Sequence, residues 1–287
     1  MTPSKKIYGL VGHPVRHSLS PVMQNAAFAS LGIHAKYELY DVEPSGLTDF
    51  LDNVSAKHIS GFNVTIPHKI KVKEYLERKG QIDENAKRLG AVNTINIDKN
   101  GILHGFNTDG PGFYRSLIED LKFEPEGKNV FSLGAGGAAM AITMYLGNGP
   151  KKIFVYDVEN EKIDNLKKQY AKYYDETKFE VVEKKNFKSA LSESDLLINA
   201  TPIGMKDGDS SPVEKDMLHP GLYIYDLVYN RLTTQLVREA SVMKLHALTG
   251  IGMLLFQGAI AFEIWTGKVA PIDVMRKALK EALKAQG

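Results

Sequence analysis

The stretch NVFSLGAGGAAMAITMYL, Asn129–Leu146, decides the reading of this chain. Val130-Phe131-Ser132-Leu133 reads as a short buried strand. It runs directly into Gly134-Ala135-Gly136-Gly137-Ala138-Ala139, and then into the apolar helical pattern Ala138–Leu146. The turn fits the G-x-G-x-x-A form of the dinucleotide fingerprint. In that pattern Gly134 permits the tight turn, Gly136 lets the backbone approach a pyrophosphate, and Ala139 lets helix and sheet pack closely. The free N–H groups and positive dipole end of the helix then face the phosphates. An ordinary glycine-rich turn has the same composition. The strand before it and the helix after it are the context that makes a dinucleotide the expected ligand.

The next strand candidate, Lys152–Asp157, ends on a carboxylate 23 residues after Gly134. A carboxylate about 20 residues beyond the first glycine suits the two hydroxyls of an adenosine ribose and repels a 2′-phosphate. Val158-Glu159-Asn160-Glu161 adds acid and no arginine. The charge pattern therefore predicts NAD over NADP. Asp157 also fits a cap for the following helix.

Outward from this stretch the pattern is regular. Asn129–Leu133, Lys152–Asp157, Phe179–Val182, Asp195–Asn199 and Leu222–Asp226 read as strands, with helices at Ala138–Leu146 and Glu159–Tyr173. This alternation predicts an α/β fold with a doubly wound, mostly parallel sheet. The first hundred residues read as α/β with some antiparallel pairing. Strands are expected at Ile7–Gly12, Tyr37–Val42 and Ile59–Ile66, and helices at Pro21–Leu31 and from about His68. Ala91–Ile97 and Ile102–Phe106 flank Asp98-Lys99-Asn100-Gly101, which is hairpin chemistry. Ile251–Trp265 and Ile272–Ala285 read as helices.

Composition narrows the classes. The 287 residues suffice for two domains, and 43% apolar with 24% charged residues is the balance of a soluble globular protein. A net charge of +2 with scattered lysines gives no surface for nucleic acid. The absence of cysteine removes disulfides and Cys-ligated zinc or iron–sulfur sites, and no metal site is expected. No segment reads as a signal peptide or a bilayer span, so the expectation is a cytoplasmic protein without a membrane partner. The sequence does not set the oligomeric state, and a homodimer is compatible with it.

Polar clusters concentrate before the glycine turn. In Gly12-His13-Pro14-Val15-Arg16-His17-Ser18-Leu19-Ser20-Pro21, Ser18 and Ser20 have the i, i+2 spacing that presents two hydroxyls together in an extended chain. Hydroxyls beside a helix start suit a carboxylate. Ser20 before Pro21 equally fits a helix N-cap. Further clusters are Gly61-Phe62-Asn63-Val64-Thr65-Ile66-Pro67-His68-Lys69, Gly90-Ala91-Val92-Asn93-Thr94 and Gly105-Phe106-Asn107-Thr108-Asp109-Gly110. Taken singly, Lys69 fits a surface lysine, Asp109 a helix cap, Gln257 a backbone partner and Tyr229 a core residue.

In this order the clusters resemble the shikimate dehydrogenase family, including its quinate/shikimate members. The likeness continues through Asn199-Ala200-Thr201-Pro202-Ile203-Gly204-Met205, Asp226-Leu227-Val228-Tyr229-Asn230 and Gly250-Ile251-Gly252-Met253-Leu254-Leu255-Phe256-Gln257. The resemblance implies a substrate domain of residues 1–107 and 243–287, with a Rossmann domain of residues 108–242 inserted and the active site in the cleft. It implies hydride transfer between a nicotinamide and shikimate or 3-dehydroshikimate, a small cyclic hydroxy-acid. Lys69 and Asp109 match the family's catalytic pair. Ser18 and Ser20 match the hydroxyls that hold the carboxylate, and Asn63, Thr65, Asn93, Tyr229 and Gln257 match other groups around the ring. Gly134, Ala135, Gly136, Gly137, Ala138, Asp157, Thr201, Leu227 and Gly250 match cofactor positions.

The proton of a secondary alcohol needs a side chain where no metal is in view. Lysine is ordinarily protonated at neutral pH, and a lysine–carboxylate pair titrates as a unit. Lys69 is therefore expected to shuttle the proton and Asp109 to orient it. Three departures stand out. Gln24 replaces a histidine often found in the first motif, and Arg231 stands where many members have proline. Asp157 stands where biosynthetic, NADP-using members usually carry basic residues. The expectation is accordingly an NAD-dependent enzyme with quinate activity in view. NADP-dependent biosynthesis is the near alternative, and a non-catalytic dinucleotide-binding redox sensor the distant one.

Overall fold

The computed structural model describes residues 5–286. The chain forms two compact units, the first containing residues up to Thr108 together with Leu255–Gln286, the second Asp109–Leu254. In the first lie β1 (Lys6–Gly12), α1 (Ser20–Ser30), β2 (Ala35–Asp41), α2 (Leu47–Asp52), β3 (Ile59–Val64), α3 (Lys69–Lys79), β4 (Gln81–Ile82), α4 (Glu84–Leu89), β5 (Thr94–Ile97) and β6 (Leu103–Phe106). The second contains α5 (Asp109–Glu119), β7 (Asn129–Leu133), α6 (Gly137–Leu146), β8 (Lys152–Tyr156), α7 (Asn160–Ala171), β9 (Phe179–Val181), α8 (Phe187–Ser192), β10 (Leu196–Asn199), β11 (Tyr223–Asp226), α9 (Gln235–Val242) and β12 (Ala247–Thr249). Helix α10 (Ile251–Thr266) begins in the second unit and ends in the first, which α11 (Ile272–Gln286) completes.

The first sheet runs β2-β1-β3-β5-β6-β4. Its β1–β2 and β1–β3 pairs are parallel, and the β3–β5 and β5–β6 pairs antiparallel. The β5–β6 hairpin closes where the Asp98 carboxylate accepts from Asn100 and Ile102 N–H, both at 2.9 Å, and Gly101 takes φ +80°. Strand alternation divides the core. Val11, Phe62 and Val64 pack with Phe50, Val72 and Leu76 of α2 and α3. The opposite face carries Tyr8 stacked on Trp265 (5.0 Å) and on Phe28 (5.3 Å). The Trp265 indole donates to Ile95 O at 2.8 Å, and a Cβ on Gly61 would lie 2.6 Å from that nitrogen. Gly61 therefore leaves the room that the indole fills.

The second sheet is wholly parallel and runs β9-β8-β7-β10-β11-β12. In that unit's own strand order this is 3-2-1-4-5-6, the doubly wound dinucleotide-binding order. Both faces are covered. Phe131, Leu133, Leu197 and Ile224 pack toward Leu191 of α8 and Leu236 of α9, while Val130, Leu196, Ile198 and Tyr225 pack toward Phe113 of α5 and Ile142 of α6.

Two features differ from the sequence expectations. The return to the first unit falls after Leu254 rather than at 243, because Ala247–Thr249 forms a sixth strand paired with β11. Asp109-Gly110-Pro111-Gly112 begins a helix that the sequence reading did not place, with Asp109 its first residue. Pro111 lies in the first turn, where its missing donor costs nothing. A Cβ on Gly110 would come within 2.7 Å of Tyr145, so glycine lets α5 approach α6.

Candidate functional site

In the second unit the chain reverses its winding between β7 and β10. In open α/β sheets the ligand crevice lies outside the carboxyl ends of the strands at such a point. The glycine turn leaves β7 there. Gly134 has φ +104°, and a Cβ would stand 2.9 Å from the carbonyl carbon and oxygen of Ala200, in the loop after β10. A side chain at 134 would therefore be strained and would collide with backbone. At Gly136 and Gly137 an added Cβ would meet nothing within 4 Å, so these two glycines face open space. Gly136 is the N-cap of α6, whose first turn holds no acid. Ala138 is exposed, while Ala139 is buried between helix and sheet. A phosphate group fits this cradle: bare backbone, free N–H groups and a positive helix end.

Asp157 follows β8. Its carboxylate accepts from Ala135 N (2.8 Å) and from Glu159 N (2.9 Å), joining the glycine turn to the next loop. Lys162, on the first turn of α7, is paired with Glu159 at 2.6 Å. Thr201, Leu227 and Gly250 lie on the loops after β10, β11 and β12. Thr201 donates from N (3.1 Å) and Oγ1 (2.7 Å) to Asn199 Oδ1, and Gly250 N donates to Val228 O at 2.9 Å. A Cβ on Gly250 would strike Leu227 O at 2.3 Å, so only glycine fits there. Tyr229 stands 42% exposed, not in the core. Asp109 is buried as the first residue of α5.

In the first unit the polar clusters merge into a network that crosses the sheet. Leu19, not Ser20, takes the N-cap position of α1, and no side chain caps it. Ser18 Oγ instead accepts from Ser20 N at 3.2 Å, and the buried Ser20 hydroxyl bonds Tyr37. Tyr37 OH donates to Asn63 Oδ1 at 2.8 Å. Asn63 Nδ2 donates to Thr94 Oγ1 (2.9 Å) and Asn93 O (3.3 Å). Asn93 Oδ1 accepts from Thr108 N at 2.8 Å, and its Nδ2 donates to Thr108 Oγ1 at 3.1 Å. Burial pushes the Tyr37 phenol far above its usual range, with the Ser20 bond acting in the opposite sense.

The chain leaves β3 through Thr65, whose N–H donates to Val11 O at 2.9 Å and whose methyl lies over Gly12. Lys69 then opens α3, and its carbonyl accepts from Val92 N at 3.1 Å. His68 behind it is fully buried, its Nε2 at 2.6 Å from Val42 O. Gln257 is nine-tenths buried on the part of α10 that belongs to this unit. Gln24, the residue in place of a histidine, donates to the adjacent Gly258 O at 2.8 Å.

The structure thus links Ser18, Ser20, Asn63 and Asn93 in one unit, and gathers the glycine turn, Asp157, Thr201, Leu227 and Gly250 at one sheet edge in the other. Lys69 and Asp109 fall in different units. The sequence reading passed over Tyr37, Thr94, Asn199, Asp226 and Thr234 as functional positions. Asn199 and Asp226 did stand inside quoted motifs as polar residues closing apolar strands, a signal for a buried partner. Tyr37 carried no such signal. Among the described residues no group of three or more His, Cys, Asp or Glu could hold a metal, and no helix is long and apolar enough to cross a membrane.

The sheet order and the glycine cradle define a Rossmann-type dinucleotide-binding protein. Family comparison specifies it. The family described as Shikimate dehydrogenase substrate binding domain matches residues 10–95, and that described as Shikimate 5'-dehydrogenase C-terminal domain matches residues 250–280. Shikimate dehydrogenase (NADP(+)) of Methanopyrus kandleri is 40% identical over 97% of this chain and 96% of its own. A shikimate dehydrogenase solved in complex with NADP+ is similar in structure, with a TM-score of 0.88, 40% identity and 97% and 96% coverage. Shikimate 5-dehydrogenase from Listeria monocytogenes, solved with shikimate and NAD, gives a TM-score of 0.87 at 34% identity, covering 97% of this chain and 98% of its own. The chain belongs to the shikimate dehydrogenase family.

Proposed function

We propose that the protein interconverts shikimate and 3-dehydroshikimate by reversible hydride transfer to a nicotinamide dinucleotide. The observation that carries this reading is the end-to-end similarity to relatives of that one named activity. The bound nicotinamide supplies the two-electron hydride acceptor. The chain supplies the rest. Ser18 and Ser20 hold the carboxylate through hydroxyl donors beside the start of α1. Thr65, Asn93, Tyr229 and Gln257 hold the ring hydroxyls, with Asn63 setting Asn93 from behind. As hydride leaves carbon, the Lys69 amine takes the hydroxyl proton, and it returns that proton in reduction. Asp109 is the second member of the proposed catalytic pair. The backbone of Gly134–Ala138 holds the pyrophosphate, with Thr201, Leu227 and Gly250 toward the nicotinamide.

For the dinucleotide, the curated relatives are named for NADP(+), so NADP(H) is the better supported cofactor. This displaces the NAD preference expected from sequence. NAD remains a second reading on one specific observation. Asp157 follows β8 with acids after it, and Lys162 is already paired with Glu159, so no unpaired basic side chain in this segment awaits a 2′-phosphate. The deciding experiment assays shikimate and quinate, each with NAD+ and NADP+. Turnover of shikimate with NADP+ supports the first reading, and a strong NAD+ preference the second. No turnover in any of the four combinations refutes the enzyme assignment.

A further inference from the structure

Thr201, Leu227, Tyr229 and Gly250 lie on three different loops, and one buried side-chain pair ties those loops together. Asn199 is the last residue of β10 and Asp226 the last of β11, adjacent in register and both without exposure. Asn199 Nδ2 donates to Asp226 Oδ1 at 2.8 Å and to Ile203 O at 3.1 Å. Its Oδ1 takes both donors of Thr201. Asp226 Oδ1 also accepts from Val228 N (3.2 Å), and Oδ2 accepts from Thr234 Oγ1 at 2.6 Å. Val228 O in turn accepts from Gly250 N, and Leu227 N donates to Asn199 O at 2.9 Å.

These partners of Asp226 include no cation. Burial raises its carboxyl above the ordinary range, with the Thr234, Val228 and Asn199 bonds acting in the opposite sense. Taking a charge out of water without a counter-charge disfavours the folded state, and an apolar residue would fill the same strand end without that cost. What the carboxylate adds is directional: it accepts from three donors, one at the end of β10 and two in the connection from β11 to α9, and so fixes the conformation of loops that apolar packing would leave adjustable.

We propose that Asp226 is a positioning residue for hydride transfer, setting through Asn199, Val228 and Thr234 the loops that present Thr201, Leu227, Tyr229 and Gly250. It acts on dinucleotide and ring only through them. This rests on the assignment of those four residues under the proposed function.

The test uses the full chain. NADPH and NADH binding is titrated by fluorescence without substrate, steady-state kinetics are measured with shikimate, and melting is followed in parallel, for Asp226→Asn, Thr234→Ala and Thr234→Ser. Asp226→Asn keeps the shape and removes the charge. Losing a charge-assisted bond corresponds to about tenfold weaker dinucleotide binding and about tenfold lower kcat/KM. The melting temperature is expected to stay level or rise. Thr234→Ala should weaken binding in the same direction, and Thr234→Ser should restore it. Wild-type binding and kinetics in Asp226→Asn overturn the proposal. So does a loss of binding that only tracks a fall in melting temperature. Should Asp226→Asn fail to fold, equal binding by Thr234→Ala and Thr234→Ser, measured well below their melting, overturns it. A wild-type protein that binds dinucleotide but does not turn over shikimate counts against the proposed reaction instead, and the binding titrations still decide the role of Asp226.

Discussion

Replacing Gly136 by alanine should leave the fold intact and damage dinucleotide binding, while replacing Gly134 should damage the fold itself. The two glycines are two residues apart in one turn, and their surroundings are opposite. Gly134 has φ +104°, and its added methyl would meet Ala200 backbone at 2.9 Å. A non-glycine residue in such a conformation costs about 1–3 kcal/mol. Displacing backbone adds to that, giving a total of about 2–4 kcal/mol, or a melting shift of roughly 5–15 °C for a chain of this size. Gly136 has φ −73° and ψ −172°, open to any residue, and its methyl meets nothing within 4 Å. Exchanging glycine for alanine at an N-cap costs about 0.5–1 kcal/mol, well below the loss at Gly134.

The open space at Gly136 matters only if a ligand fills it. A methyl there would hold a pyrophosphate away from the N–H groups of α6. Losing one hydrogen bond to a charged group costs about 1.5–3 kcal/mol, a factor of roughly 10–150 in affinity. Calorimetric titration with NADPH and NADH, beside thermal melting of both variants, measures the two effects separately. Near wild-type affinity in Gly136→Ala would refute the cradle. A melting loss in Gly136→Ala equal to that in Gly134→Ala would refute the geometric distinction.

Lys69→Ala should lower kcat by about 10²–10⁴-fold with shikimate binding nearly unchanged, since general acid–base groups contribute that much; near-normal turnover would remove the lysine from the mechanism. Trp265→Phe deletes the indole bond to Ile95 O and leaves space against Gly61. It should cost about 2–3 kcal/mol, read as a melting shift of roughly 4–12 °C without a change in dinucleotide affinity. The raised Asp226 carboxyl gives a pH prediction. A group whose pKa is higher folded than unfolded contributes stability below the ordinary carboxyl range and loses it as pH rises through the folded value. The stability of wild type relative to Asp226→Asn should therefore fall as pH is raised from about 4, the unfolded carboxyl value. Denaturant melts across pH would show no such trend if the carboxyl were unperturbed.

Much of the second unit was legible because its signals are local. Strand, glycine turn and helix occupy one continuous segment, and each position has its own steric reason. The order of the strands was not legible, since adjacency of β7 and β10 joins residues some sixty positions apart. Strand β12 is three residues long, too short for alternation to show, and it moved the return to the first unit. Helix α5 was hidden by Gly110-Pro111-Gly112, residues that break a helix interior but are tolerated in a first turn. Among candidate site residues, the sequence proposes those in contiguous motifs, whereas Tyr37, between Ser20 and Asn63 in space, is an unremarked aromatic in an amphipathic strand.

The two polar networks explain why the motifs contain more polar residues than a ligand could touch. Asn63 uses both amide hydrogens and one lone pair on Tyr37, Thr94 and Asn93, and Asn199 uses its amide on Thr201, Ile203 and Asp226. Each is buried, so each would be costly if left unpaired, and each is paired in only one orientation. An amide held that way transmits its orientation to the next residue: Asn63 to Asn93 and its carbonyl, Asn199 to Thr201 and its hydroxyl. On the proposed assignment, the reactive geometry is thus fixed one residue behind the ligand, on strand ends whose positions the sheet already determines. In folding, though not in substrate binding, that arrangement tolerates change at exposed Tyr229 more readily than at Asn63, Asn199 or Asp226, where a single lost partner releases several groups at once.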